Sequence, residues 1–270
     1  MTRPLRLAVI GDPISHSRSP AIHNAALAAL GIEGSYHARR VRGSEIEDVF
    51  ADLRSGALDG INVTMPLKGV AAALVDELDP DARRAGSVNT VVRRPDGTLV
   101  GYSTDTSALR RLWPGEGRYP TLILGAGGAA AAACLAARGR SLYVSARRAG
   151  AASALATSLE MTLMEIPWGA AVVDAVLVNA TPLGMHGEPL EARLIGLAAG
   201  LIDLAYGDET TPAVSEARAA GIPTIDGIDF LVAQAADAFS LWTGREAPIE
   251  AMVAAARNHS RDGAPTPNDL

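Results

Sequence analysis

The sequence is short of cysteine, of basic charge and of long apolar runs, and each shortage excludes a class of protein. The single cysteine, Cys134, allows no intramolecular disulfide, and its alanine-rich surroundings are typical of a buried helix. With 24 Lys and Arg against 30 Asp and Glu, the net charge is -6. Nucleic acid is therefore not an expected partner, because neutralising phosphates requires clustered Lys and Arg.

No uncharged apolar run reaches the roughly 18 residues that a membrane-spanning helix needs. The apolar stretch near the amino terminus is too short for a signal peptide. No cluster of Cys, His and Asp has the spacing of metal ligands, so we expect no metal site and structural roles for His16 and His23. These observations predict a cytoplasmic protein, either a monomer or a homodimer, that binds small molecules and neither nucleic acid nor membrane.

The first part of the chain alternates strand-like with helix-like segments. Strands are predicted at 5–10, 35–41 and 58–65, a pair of strands within 87–105, and helices at 19–31, 44–56 and 67–78. Ser44, with Glu47 three residues later, predicts the N-cap of the second helix. This alternation predicts a mostly parallel α/β sheet that closes near Asp105.

A second alternation follows a helix at 106–113 and a loop at 114–120, which marks a domain boundary. Strand-like segments lie at 121–124, 141–148, 173–185, 200–206 and 222–227. Two amphipathic helices are predicted at 228–244 and 248–258, and periodicity alone does not say where they pack. The polar residues after them predict a frayed tail.

A glycine-rich turn opens this second unit. Gly125, Gly127 and Ala130 have the G-x-G-x-x-A spacing of a dinucleotide site, between a predicted strand and a predicted helix. Glycines permit close approach of a pyrophosphate, and amides at the helix start supply partial positive charge. The alternative is a tight turn with no ligand. The expected cofactor contacts are Gly125, Ala126, Gly127, Gly128 and Ala129.

The segment after the next strand points to the type of cofactor. An NAD site carries an acidic residue about 20 residues after the glycines, whereas this chain has Ser145, Arg147 and Arg148. Guanidinium groups pair well with a phosphate through charge and forked hydrogen bonds. We therefore predict NADP as the cofactor, the alternative being two exposed arginines at a strand end.

Reduction of a ketone by hydride leaves an alkoxide, so the site needs a proton donor next to the carbonyl oxygen. Lys68 is the candidate, because it follows a strand that Pro66 prevents from continuing. The segments 60–68, 87–90 and 103–105 all end strands of the first sheet, at the edge where α/β proteins bind ligands. The alternative for Lys68 is an ordinary surface lysine.

Across essentially the whole chain, these motifs resemble the shikimate dehydrogenase family. The matching segments are GDPISHSRSPAIHN, NVTMPLK, VNT, STD, DLAYGDETTP and DGIDFLVAQAADAFSLWTG. The resemblance implies NADP-dependent, reversible reduction of 3-dehydroshikimate to shikimate in aromatic amino-acid biosynthesis. It assigns catalysis to Lys68 and Asp105.

The resemblance also implies the remaining contacts. The substrate residues would be Ser17 and Ser19 on the ring carboxylate, Thr64, Asn89 on the ring hydroxyls, Tyr206 and Gln234. For Ser19, which directly precedes Pro20, the alternative is the N-cap of the helix, alone or together with ligand binding. Leu204 and Gly227 would lie near the cofactor. The implied domains are residues 1–105 with 228–270 for substrate and catalysis, and 106–227 as a Rossmann-type NADP domain, so that the C-terminal helices return to the first domain.

Four positions depart from the usual family pattern: Ser103, Ala108, Asp229 and Phe230. They lie close to the functional motifs, so a quinate or aminoshikimate dehydrogenase of the same family is an alternative. A non-catalytic protein that senses NADPH or shikimate is another alternative. The presence of both Lys68 and Asp105 argues against the sensor.

Overall fold

The first sheet lies within residues 5–102 of the computed structural model, which describes residues 3–113 and 119–258. Its strands are β1 (Leu5–Gly11), β2 (Gly34–Arg40), β3 (Gly60–Val63), β4 (Glu77–Leu78), β5 (Thr90–Arg93) and β6 (Leu99–Tyr102). They lie in the order β2-β1-β3-β5-β6-β4, with β5 antiparallel to both neighbours and the other pairs parallel. The prediction of a mostly parallel sheet is confirmed.

The second sheet is parallel throughout. Its strands are β7 (Thr121–Leu124), β8 (Leu142–Ser145), β9 (Met164–Ile166), β10 (Ala175–Asn179), β11 (Ala198–Asp203) and β12 (Thr224–Ile225). Their order, β12-β11-β10-β7-β8-β9, reverses direction between β7 and β10. This is the strand order of a Rossmann fold, whose ligands bind at that switch point. The predicted fold class is confirmed.

Helices cover both sheets. They are α1 (Ser19–Ala29), α2 (Ile46–Ser55), α3 (Lys68–Leu74), α4 (Pro80–Ala85), α5 (Thr104–Leu112), α6 (Gly128–Ala136), α7 (Ala151–Leu159), α8 (Ala192–Gly196), α9 (Pro212–Ala219), α10 (Gly227–Thr243) and α11 (Ile249–Asn258). Helix α6 presents small side chains to its sheet, and burial raises the pKa of the Cys134 thiol to about 12. Cys134 is therefore an inert packing residue.

The two C-terminal helices pack on the first unit. Ile22 and Leu27 of α1 share an apolar cluster with Phe239 of α10 and Met252 of α11. Farther along α10, the Trp242 indole donates to the Val91 carbonyl of β5 at 3.0 Å. The chain therefore leaves the first unit, builds the second sheet and returns, as the family resemblance implies.

Two local predictions are wrong. The helix predicted at 67–78 ends at Leu74, because the backbone amide of Asp76 donates to the Leu99 carbonyl and the chain then pairs with β6 as β4. Ser44 does not cap α2. A 3-10 helix, Gly43–Glu45, precedes α2, and its capping contact is the Glu45 carboxylate accepting from the Arg42 amide at 2.8 Å.

The sequence patterns did not predict α4, α7, α8 or β9, which are short or poor in apolar contrast. Most of the predicted loop at 114–120, and the predicted frayed tail, lie outside the described residues. Among the helices of residues 3–113 and 119–258, none is long and apolar enough to cross a bilayer.

Candidate active site

Lys68 and Asp105 form an ion pair at the carboxyl-terminal edge of the first sheet. Strand β3 leads through a turn to Lys68, the first residue of α3, and β6 leads to Asp105 in the first turn of α5. The Lys68 Nζ atom donates to Asp105 Oδ2 at 2.6 Å, and the two side chains are 20% and 9% exposed. This short contact between partly buried charges is stronger than an exposed surface pair.

Lys68 is also the only lysine in the 270-residue sequence. The other 23 of its 24 Lys and Arg residues are arginines. Arginine does not lose its proton in proteins, whereas a lysine amine can both donate and accept one. The only side-chain amine of the protein therefore lies at the carboxyl-terminal edge of the first sheet. This signal was available in the sequence, and motif reasoning missed it.

Asn89 holds the Asp105 carboxylate from the other side. Its Nδ2 atom donates to Asp105 Oδ1 and to Thr104 Oγ1, both at 2.9 Å, while its Oδ1 atom accepts from the Thr104 amide at 2.7 Å. Gln234 reaches the same point from α10, with its Oε1 atom 3.5 Å from Asn89 Nδ2. Four of the predicted site residues, Lys68 included, therefore lie together.

Asn62 connects this cluster to the rest of the cleft. It is buried in β3, and its Nδ2 atom donates to the Asn89 carbonyl at 3.1 Å and to Thr90 Oγ1 at 2.9 Å. Its Oδ1 atom accepts from the Tyr36 hydroxyl at 2.6 Å. A polar residue inside the apolar run GINV was the available signal, and it was overlooked because the run was interpreted only as a strand.

The predicted carboxylate ligands lie at the Tyr36 end of this network. Ser19 is buried as the first residue of α1, with Arg18 at the N-cap position, so Ser19 is not the N-cap. The Ser19 amide donates to Ser17 Oγ at 3.3 Å. Burial raises the pKa of Tyr36, the Ser19 hydroxyl lowers it, and Tyr206 raises it further. Ser19 and Tyr206 therefore both lie near Tyr36, although they are far apart in sequence.

Thr64 lies in the turn between β3 and Lys68. Its amide donates to the Ile10 carbonyl at 2.9 Å, and its carbonyl accepts from the Leu67 amide at 3.0 Å. A Cβ on Gly11 would lie 2.4 Å from the Thr64 methyl carbon, which is too close for any side chain at that position. The turn therefore requires a glycine at position 11.

His23 has the structural environment expected for it. It is buried, with its ring stacked on Tyr36 at 4.3 Å between centroids and tilted against Trp242 at 5.3 Å. Desolvation lowers its pKa to about 3, so the imidazole is neutral at physiological pH. His16 is exposed.

The glycine-rich turn lies next to Lys68. Gly125 has a φ of +105°, and a Cβ there would lie 2.9 Å from the Ala180 carbonyl oxygen, so the turn requires glycine. At the start of α6, a Cβ on Gly128 would lie 3.2 Å from Ser87 Oγ and 3.7 Å from Lys68 Cδ. The helix end that would bind a pyrophosphate thus lies against Lys68. Gly127 has open space around it, and Ala126 and Ala129 flank the same turn.

The residues after β8 have different environments. Ser145 is buried and donates to the Pro167 carbonyl at 3.1 Å, so its hydroxyl already has a structural partner. Arg147 and Arg148 are exposed, and neither makes a salt bridge within the described part of the chain. The Arg147 guanidinium lies 6.0 Å from the ring centre of Trp168.

The loop after β11 carries Leu204 and Tyr206, and it contacts the start of α10. A Cβ on Gly227 would stand 2.2 Å from the Ala205 carbonyl oxygen, so only glycine permits this approach. Asp203, which sequence reasoning missed, anchors the loop by accepting from Thr211 Oγ1 and from the Ala205 amide. Burial raises the pKa of this carboxyl group.

Two departures from the family pattern lie at α5, Ser103 just before its first residue and Ala108 within it. The Ser103 hydroxyl lies 2.8 Å from Thr106 Oγ1, and the Ser103 amide donates to Asp79 Oδ1 at 3.2 Å. Ala108 is fully buried. Both side chains are thus buried in the protein.

The other two departures lie in the first turn of α10. Asp229 pairs with Arg257 of α11 at 3.4 Å near the surface. Phe230 packs against the core of the second sheet. Phe230 therefore contributes to the contact between the two units.

Comparison with known proteins gives the family. The family model for the shikimate dehydrogenase substrate binding domain matches residues 9–91, and that for the shikimate 5'-dehydrogenase C-terminal domain matches residues 227–257. A protein of Anaeromyxobacter sp. (strain Fw109-5) named shikimate dehydrogenase (NADP(+)) is 40% identical over an alignment of 268 positions that covers 92% of this chain and 94% of that protein. The chain belongs to the shikimate dehydrogenase family.

Solved structures of this family have the same fold. The shikimate dehydrogenase of Thermus thermophilus, crystallised with NADP(H) and shikimate, is 38% identical with a TM-score of 0.83, and the match covers 94% of this chain and 99% of that one. The 5-ketofructose reductase of Gluconobacter sp. strain CHM43 is 25% identical with a TM-score of 0.82, covering 96% and 99%. The fold is thus shared by relatives whose names give different substrates.

Within residues 3–113 and 119–258, no group of three or more His, Cys, Asp and Glu side chains is arranged to hold a metal ion. The polar groups of the site are instead one amine, one carboxylate, amides and hydroxyls. This set is suited to hydrogen bonding and proton transfer.

Proposed function

We propose that this member of the shikimate dehydrogenase family catalyses the NADP-dependent, reversible reduction of 3-dehydroshikimate to shikimate. The observation that carries the proposal is the 2.6 Å contact between Lys68 and Asp105 with the start of α6 packed against Lys68. A proton donor and a dinucleotide-binding helix end thereby meet at one point. The relatives named NADP-dependent shikimate dehydrogenases support the choice of reaction.

When bound, the reduced nicotinamide supplies a hydride to the ketone carbon of the substrate. The Lys68 ammonium then donates its proton to the oxygen that becomes a hydroxyl, and in the reverse direction the Lys68 amine takes that proton back. Asp105 holds Lys68 in position and accepts a hydrogen bond from a ring hydroxyl. Asn89 and Gln234 orient the ring hydroxyls near the reacting carbon.

The substrate carboxylate would lie at the other end of the cleft. Ser17, Ser19 and Tyr206 are assigned to it, since small hydroxyls and a phenol can donate to a carboxylate without a competing acceptor charge. Burial raises the pKa of Tyr206, so the phenol keeps its proton at physiological pH. Thr64 contributes a hydroxyl between the two ends.

The cofactor would lie along the glycine turn. Gly125, Ala126, Gly127, Gly128 and Ala129 form the pyrophosphate cradle, and Leu204 and Gly227 border the nicotinamide. Arg147 and Arg148 bind the 2'-phosphate, with Ser145 nearby. The absence of an acidic residue at this strand end favours NADP, because a carboxylate would repel that phosphate.

The two proposed domains correspond to the two sheets. Residues 1–105 with 228–270 form the substrate and catalytic domain, and residues 106–227 form the NADP domain. The boundaries lie in the first turns of α5 and α10, so these helices join the domains as well as belonging to them. We further propose that the protein acts in the cytoplasm, as a monomer or a homodimer.

Nicotinamide absorbance tests the function directly. The purified protein is mixed with NADP+ or NAD+ and, in turn, with shikimate, quinate, aminoshikimate and a neutral ketose. The proposal predicts the highest kcat/KM for shikimate with NADP+. A higher value for quinate or aminoshikimate would reassign the substrate within the family, and no absorbance change with any compound would favour a sensor.

A further inference from the structure

Arg18 lies between the two proposed carboxylate ligands, Ser17 and Ser19, and its side chain is buried. The residue is only 5% exposed. Its Nη1 atom donates to the Ala256 carbonyl of α11 at 2.9 Å, and its Nη2 atom donates to the Gly207 carbonyl in the loop after β11. One side chain of the substrate loop therefore binds a C-terminal helix of the first unit and a loop of the second.

The chemistry of this contact is particular to arginine. Its planar guanidinium presents several donors in a fixed fork, which can reach two carbonyl groups on separate elements. Ala256 lies in the last turn of α11, where a cation interacts favourably with the helix dipole. Arg18 makes no salt bridge with any carboxylate of the described residues, so backbone carbonyls alone satisfy it there.

Tyr206 lies next to the same guanidinium. The Arg18 Cζ atom is 5.9 Å from the centre of the Tyr206 ring, within the range of a cation–π interaction. Tyr206 is one residue before Gly207, whose carbonyl Arg18 binds. The Tyr206 ring also packs on the apolar cluster of α1, α10 and α11, and within the described residues its hydroxyl makes no hydrogen bond. Its ring is thus held from two sides while its hydroxyl is left available to a ligand.

From this geometry we infer that Arg18 is a positioning residue, which fixes Tyr206 of the second unit against Ser17 and Ser19 of the first and so assembles the carboxylate-binding end of the cleft. The inference rests on the proposed function. It adds Arg18 as a residue that influences substrate binding through Tyr206 and does not touch the substrate itself. It also implies that binding of the substrate acid depends on the joining of the two units at Gly207, whereas chemistry at Lys68 does not.

Steady-state kinetics of Arg18→Leu and Arg18→Lys test the inference. We expect Arg18→Leu to raise KM for shikimate about tenfold or more, which corresponds to the loss of a charge-assisted hydrogen bond. The changes in kcat and in KM for NADP+ should stay within a few-fold. Arg18→Lys keeps the charge and should recover part of the loss. Arg257→Leu is the matched control, because Arg257 follows Ala256 and lines the same cavity but pairs with Asp229 at the surface.

A double-mutant cycle separates positioning of Tyr206 from general destabilisation. In a Tyr206→Phe background, Arg18→Leu should change KM for shikimate by no more than about twofold, because the hydroxyl that Arg18 positions is gone. An undiminished effect in that background would overturn the inference. A rise in KM for NADP+ equal to the rise for shikimate would overturn it too.

Hydrogen–deuterium exchange provides a readout that needs no activity. In the protein without ligands, Arg18→Leu should speed exchange of the loop amides at 205–210 while the amides of β11 stay protected. Unchanged exchange in that loop would contradict the inference whatever the substrate is. An inactive parent protein with the expected exchange change would instead contradict only the proposed function.

Discussion

Gly128 at the start of α6 lies against the aliphatic part of Lys68, so close that a Cβ on Gly128 would stand 3.7 Å from Lys68 Cδ. The first residue of the proposed nucleotide-binding helix and the proposed proton donor therefore lie together, although they follow strands of different sheets. A hydride donor bound at α6 and a proton donor at Lys68 would approach the same carbonyl group.

Replacing Asp105 with Asn removes the charge that pairs with Lys68 at 2.6 Å while keeping the size of the side chain. We expect kcat/KM for shikimate to fall by about 10²-fold, because a misplaced catalytic group costs roughly that much. Asp81→Asn is the matched control, since Asp81 pairs with Arg110 at the surface. Equal kinetics for Asp105→Asn and the parent would remove Asp105 from the mechanism.

Replacing both Arg147 and Arg148 with Ala should weaken binding of NADP+ and leave binding of NAD+ unchanged. A charge-assisted hydrogen bond is worth about 1.5–3 kcal/mol, so KM for NADP+ should rise at least about tenfold. Arg39→Ala is a suitable control, because Arg39 pairs with Asp52 on the first unit. If both cofactors weaken equally, the arginines do not recognise the 2'-phosphate.

His23 makes stability depend on pH. Burial lowers its folded-state pKa to about 3 from 6.5, so below pH 6.5 the unfolded chain binds a proton that the native protein does not. The free energy of unfolding should therefore fall as the pH drops from 6.5 towards 3, by up to about 1.4 kcal/mol per pH unit from this group. His23→Phe should remove this component.

Urea unfolding at a series of pH values between 7 and 4 measures the effect. The difference in unfolding free energy between His23→Phe and the parent should change steadily below pH 6.5, in favour of the variant. His37→Phe, on the exposed part of β2, should show no such trend. A constant difference for His23→Phe at all pH values would mean that the native imidazole takes up its proton normally.

Because Lys68 is the only lysine, an amine-selective reagent has one side-chain target and the amino terminus as an internal reference. We expect loss of activity to follow modification of Lys68, measured by mass spectrometry. Shikimate with NADP+ should slow modification of Lys68 but not of the amino terminus. Full activity after complete modification of Lys68 would contradict its role.

Much of the site could be predicted from the sequence because strand ends of an α/β sheet meet at one edge. Lys68 and Asp105 each follow a predicted strand. Asn89 was expected to end a strand but instead precedes β5, and the antiparallel direction of β5 brings its first residues to the same edge. The structure brings the three side chains into hydrogen-bonding contact. Gln234 was different. Periodicity placed it on a helix of unknown location, and only the family resemblance predicted that the helix returns to the first sheet.

Long-range polar contacts could not be predicted. The partners of Arg18 are 189 and 238 residues away in sequence, and no local pattern marks them. Neighbouring residues also offered more than one possible start and end for a helix. Ser44 and Glu47 have the spacing of a capping box, but in the structure it is the Glu45 carboxylate, two residues earlier than Glu47, that accepts from a backbone amide, that of Arg42. The helix predicted at 67–78 is cut short because pairing with β6 provides backbone partners beyond Leu74.

The account depends most on proton donation by Lys68. Turnover of shikimate by Lys68→Ala, compared with Val70→Ala on the exposed side of the same helix, tests it most directly. Positioned acid–base catalysis contributes about 10² or more, so kcat of Lys68→Ala should fall at least about 10²-fold while Val70→Ala keeps the parent value. A Lys68→Ala variant whose kcat stays within a few-fold of the parent would contradict the mechanism.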